Sequence, residues 1–103
     1  MSFKKIIIPI NNQNFNLYVA DTEPKRIQGL SHIKKLPPHT GMIFLFEKDG
    51  PKTFTMEKTF IPLQIIFLDK DFKIIKKVKA YPQQKEKISC DKNARYVIEI
   101  PFS

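Results

Sequence analysis

The sequence predicts a small β-rich fold, all-β to α+β, built as a barrel-like or sandwich domain of about seven short strands. Three observations predict it. Apolar and polar residues alternate with a period of two, as where Phe15, Leu17 and Val19 interleave with Asn16, Tyr18 and Ala20. Turn-forming clusters such as Asn11-Asn12-Gln13-Asn14 and Lys48-Asp49-Gly50-Pro51 divide the alternating segments. A helix signal occurs once, near residues 24–29.

The elements follow in order. Residues 3–10 are rich in isoleucine and read as a β-branched strand, joined by the Asn-rich turn to a second strand as a hairpin. Asp21 or Thr22 can cap a helix, Pro24 suits its first turn, and Ile27 and Leu30 share one face before Gly29 limits its length. Residues 32–40 form a loop stiffened by Pro37-Pro38. Residues 41–46 form a buried strand, and residues 53–56 a separate alternating one. Leu63 to Leu68 is apolar throughout. Residues 72–81 make a strand wet on one side, because Lys73, Lys77 and Lys79 lie opposite Phe72, Ile74, Val78 and Ala80, with Lys76 intruding. A polar loop over residues 82–93 holds Cys90, and residues 95–100 form the last strand.

With 103 residues the chain is expected to be a single domain spanning 1–103. Its 42% hydrophobic content, with nine Phe and three Tyr, supplies one core without metal or disulfide. A single cysteine, Cys90, excludes an internal disulfide and fits a reducing compartment. The apolar run at residues 6–10 is too short for a signal-peptide core. No stretch approaches the roughly 18 apolar residues of a membrane span. The expected setting is the cytoplasm or a virus particle or similar assembly.

The formal net charge is +8. Only Arg26 and Arg95 among the 18 basic residues are arginine. Lysine is a solvating residue, whereas arginine is preferred for bidentate phosphate contacts, so the charge reads first as surface charge.

Several segments carry a family resemblance. They are Ala20-Asp21-Thr22 with Arg26, Gly29 and Leu30, then the strand at residues 41–46. Next come Phe54, Met56, Thr59, Ile61, Pro62, Leu63, Ile65, Phe67 and Asp69. Pro82, Cys90 and Ala94-Arg95-Tyr96-Val97-Ile98-Glu99-Ile100 complete the set. In order and spacing they resemble Domain of Unknown Function 192, an uncharacterised family, from about residue 15 to residue 100. The resemblance implies a compact barrel-like fold with one short helix, and it implies no activity. Were its motifs to form a binding site, Phe54, Met56, Thr59, Gln64 and Arg95 would be its members. The chain departs from the family pattern at Ser31 (usually Met), Thr55 (Trp), Lys58 (Asn) and Gln64 (Asp). It also stops at Pro101-Phe102-Ser103, where the family pattern continues.

Catalytic chemistry finds weak support. Cys90 with His32 or His39 would be a nucleophile and base, but no signature surrounds them, and a free cysteine is more often a small buried hydrophobe. Two histidines and one distant cysteine make no metal set, and a turn accounts for Asp69 and Asp71. Glu99 beside Arg95 reads as an ordinary strand-face charge. No cofactor motif is visible. The leading expectation is therefore a non-enzymatic binding or structural module, an accessory part of a larger assembly whose open sheet edge a protein partner completes by strand addition. Two alternatives stand beside it. Lys73, Lys76, Lys77 and Lys79 would bind nucleic acid or an anionic surface, or Cys90 would serve an unrecognised enzyme.

Overall fold

The computed structural model describes residues 2–102. Six strands and one helix follow in order: β1 (Lys5–Ile10), β2 (Gln13–Ala20), α1 (Glu23–Gln28), β3 (Thr40–Phe54), β4 (Leu63–Leu68), β5 (Ile74–Ala80) and β6 (Ile88–Pro101). They make one mixed sheet of order β1-β2-β3-β6-β4-β5, mostly β as expected, with β1 and β5 as open edges.

The hairpin between β1 and β2 turns on Asn11 and Asn12, both at positive φ (51° and 65°). A two-residue hairpin of the favoured hand needs this conformation at both positions, and asparagine tolerates it. β2 then pairs with β3 in parallel, Leu17 beside Gly41 and Val19 beside Ile43. Parallel neighbours require a long crossover. Here it consists of α1 and the segment up to residue 39. Thr22 caps α1, its Oγ1 accepting a hydrogen bond from the Lys25 N–H at 3.4 Å, and Gly29 ends it at φ 48°.

Three expectations are corrected. The strands number six because residues 41–46 and 53–56 do not form two strands. β3 runs through Asp49-Gly50-Pro51, and register shifts between Leu45 and Gly50 and between Gly50 and Lys52 absorb the irregularity against β6. The last strand starts at Ile88 rather than residue 95. Cys90 therefore lies within β6, opposite Lys52, instead of in a polar loop.

A straight strand as long as β3 would extend roughly 50 Å. The molecule measures only 30 × 30 × 28 Å, so its long strands bend and the sheet curls. Alternation sends side chains to two apolar clusters. The larger includes Met42, Phe44, Met56, Ile65, Phe67, Cys90 and Val97. The smaller includes Leu17, Ile43, Ile66, Leu68 and Ile98. Phe54 joins the larger, edge-on to Phe44 at 5.0 Å and to Phe67 at 6.1 Å between centroids.

Candidate functional site

The alternation of β6 turns Ile98 and Ile100 toward the smaller cluster and Val97 toward the larger. Glu99 follows the parity of Val97. It is 5% exposed, so it is no strand-face charge in solvent. Its register partners are Met42 on β3 and Ile65 on β4, both apolar. Among the described residues, no ion pair or hydrogen bond engages its carboxyl. No buried polar side-chain atom there is both sealed from solvent and unpartnered, so the carboxyl oxygens keep an opening to the cleft above them. Burial pushes the Glu99 carboxyl up to about 8 from an ordinary 4.5.

Gly41 sets how closely β3 approaches the Glu99 backbone. A Cβ at Gly41 would lie 2.2 Å from the Glu99 carbonyl oxygen, so no larger residue allows β3 to approach β6 this closely.

Glu99 lines a cleft of about 560 Å³. One wall is α1 and the turn after it, with Glu23, Arg26, Ile27, Leu30 and Ser31. The other is β3 with the segment beyond it, with Phe44, Phe46, Thr53, Phe54, Thr55 and Thr59. The Arg26 Nη1 donates to the Leu45 carbonyl at 2.8 Å, and its guanidinium lies 5.2 Å from the Phe46 ring centre. Lys52 Nζ also sits 4.8 Å from that ring. Burial lowers the pKa of Lys52, a shift opposed by nearby Asp49 and reinforced by Arg95. The cleft thus combines aromatic walls, three threonines, the Arg26 guanidinium and a buried acid, with Lys52 near the Phe46 ring outside the lining.

The residues singled out from the sequence are dispersed. Phe54 and Thr59 line the cleft. Met56 is buried in the larger cluster. Gln64 lies on β4 opposite Ile100 and shares the parity of Ile66, so it faces away. Arg95 is paired through Nε with Asp49 at 2.8 Å, outside the cleft lining. The lysines divide between the faces of edge strand β5. Lys76 lies opposite Phe67 and donates to the Ser89 carbonyl, whereas Lys77 and Lys79 lie opposite Ile66 and Gln64. Lys73 precedes the strand, its N–H bound by the Asp69 carboxylate, which also accepts from Asp71 N–H. Cys90 is buried in the larger cluster and takes no part in the cleft lining, nor do His32 and His39.

Arg26, Phe46 and Glu99 were not singled out as site residues. A signal for Glu99 was present: it is the lone charge in the apolar run from Val97 to Ile100. In a strand with both faces buried, such a residue has no solvent side to occupy. Ser31 and Thr55, two of the positions that depart from the family pattern, both line the cleft.

The family model DUF192, described as "Uncharacterized ACR", matches residues 6–102. Two solved structures are similar across nearly the whole chain. One is a protein of Sinorhizobium meliloti 1021 provisionally named a transcription regulator, with a TM-score of 0.84 and 27% identity over 98% of this chain and 83% of that one. The other is a protein of unknown function from Novosphingobium aromaticivorans DSM 12444, with a TM-score of 0.82 and 25% identity over 96% of this chain and 73% of that one. No curated protein matches the chain.

Proposed function

The chain belongs to the uncharacterised DUF192 family, and on that premise we propose that it is a non-enzymatic binding module whose cleft between α1 and β3 receives a small molecule. One observation carries this reading. A buried carboxyl without a protein partner opens into a cleft walled by phenylalanines. Folding leaves a polar group in such a place at a cost unless something bonds to it. The volume of about 560 Å³ lies within the usual span of small-molecule sites.

Binding is favoured over catalysis because Glu99 stands alone as a perturbed acid in the cleft. The other charged groups lining it are Glu23 and Arg26, and no cysteine or histidine joins them. Among the described residues, no nucleophile activated by an adjacent base lines the cleft.

The test is an amide-resolved NMR titration with a fragment library. Ligands are expected to perturb Gly29, Phe44, Phe54, Thr55 and Glu99 together. Perturbations confined to β1, β5 or the β5–β6 connection would refute the reading.

A second reading takes nucleic acid as the partner. It draws on the charge of +8 and on the provisional name of the Sinorhizobium protein. Lys79 over the Phe102 ring, with Tyr81 edge-on to Phe102 at 5.8 Å, supplies a small basic and aromatic patch beside Lys77. Affinity for single-stranded DNA that falls steeply between two salt concentrations would support it, and no binding at low salt would end it. Strand addition has a surface in edge strand β1, where Ile6 and Ile7 are exposed. A monomer by light scattering at high concentration would count against self-association there.

A further inference from the structure

We propose that the ligand of this cleft is a small carboxylate with an apolar or aromatic body, held by Glu99 as a hydrogen-bond donor with Arg26 as the counter-charge. The proposal deepens the binding-module reading and rests on it.

The cleft is rich in donors. Arg26 spends one N–H on the Leu45 carbonyl, and a guanidinium carries five, so others remain for a ligand. Thr53, Thr55 and Thr59 add hydroxyls. Glu99 holds its proton at neutral pH because burial raises its affinity for it, so it too presents an O–H. A carboxylic acid facing a carboxylate makes a short charge-assisted bond, stronger than one between neutral groups.

The field around the site also selects an anion. The net charge of +8 steers anions toward the molecule. A cationic ligand beside Phe46 would meet two like charges, because Arg26 and Lys52 lie 5.2 and 4.8 Å from that ring centre. Apolar walls from Leu30, Phe44 and Phe54 leave room for the ligand's body.

Few groups act on the Glu99 proton. The β3 and β4 residues opposite it, Met42 and Ile65, are uncharged, as is Thr59. On α1 the charged lining groups are Arg26 and Glu23. Glu23 is exposed in the first helical turn, where solvent screens its opposition to an anion.

The experiment is calorimetric titration of the whole chain with 4-phenylbutyrate, 4-phenyl-1-butanol and 4-phenylbutylamine at pH 6.5 and 9.5. Wild type, Glu99→Gln, Arg26→Gln and Phe54→Ala are compared, each checked for native circular dichroism. Wild type is expected to bind the carboxylate tightest at pH 6.5 and about thirtyfold more weakly at pH 9.5, where Glu99 has ionised. Glu99→Gln, whose amide still donates, keeps carboxylate binding and loses the pH dependence. Arg26→Gln weakens carboxylate binding at both pH values, by a larger factor than it weakens alcohol binding. Tighter binding of the amine at both pH values overturns the proposal. So does a carboxylate affinity that ignores pH and Glu99. If the alcohol or amine binds in a Phe54-dependent way while the carboxylate does not, the ligand class fails and the binding module stands. If no probe binds, both fail.

Discussion

The two faces of the sheet use the same strands to different ends. Ile98 and Glu99 are neighbours on β6, both at most 5% exposed. Ile98 enters a cluster of aliphatic side chains built from Leu17, Val19, Ile43, Ile66 and Leu68. Glu99 enters the aromatic side, where the wall opposite is a helix and loop rather than another strand. One face stores stability alone. The other gives up part of it to keep a polar group inside, and that difference is what the proposed binding site rests on.

Acidity should separate the faces most. The folded state holds the Glu99 proton that the unfolded chain releases, so folding takes up a proton between pH 4.5 and about 8. The contribution is full below pH 4.5, declines as pH rises through that window and levels off above it. The slope is about 1.4 kcal/mol for each pH unit. Urea denaturation from pH 4.5 to 9 should show the decline in wild type and lose that component in Glu99→Gln. An equal decline in both would remove Glu99 from the account.

Core truncations come next. Phe67→Ala, in the larger cluster, should cost about 4 kcal/mol. Ile98→Ala, in the smaller one, should cost about 3 kcal/mol by the same denaturation measurement. The comparison sharpens if Ile98→Ala leaves the pH dependence intact, since its side chain lies across the sheet from the carboxyl. Loss of the slope in Ile98→Ala would break it.

The crossover should prove weaker than either cluster. Thr22→Ala removes the cap of α1 and should cost about 1 kcal/mol in thermal unfolding. Smallest of all is Arg95→Ala. Its pair with Asp49 is partly exposed on both sides, so the expected loss is under about 1 kcal/mol and should shrink in high salt.

Much of this was legible in the sequence. The hairpin, the short helix and the alternating strands follow from local pattern, because Asn11-Asn12, Thr22-Glu23-Pro24 and period-two alternation act over a few residues. The pairing of β2 with β3 was not legible. Parallel partners are joined by a crossover, and nothing in Leu17 or Gly41 alone names the other. The run through Asp49-Gly50-Pro51 also misleads, because turn chemistry and a bulged strand use the same residues. Of the motif residues Phe54, Thr59 and Gln64, the first two line the cleft and Gln64 faces the other way. Strand parity separates them, and it depends on pairings formed only in three dimensions.

The cleft's outer wall is the link between two parallel strands, not a strand itself. Residues 31–38 pair with no strand, so they can lengthen, shorten or change chemistry while every rung of the ladder stays paired. A descendant of this chain could resize the cleft by editing one connection, leaving the floor with its acid untouched. The shape of the cleft and the pairing of the sheet would then evolve on separate stretches of the same gene.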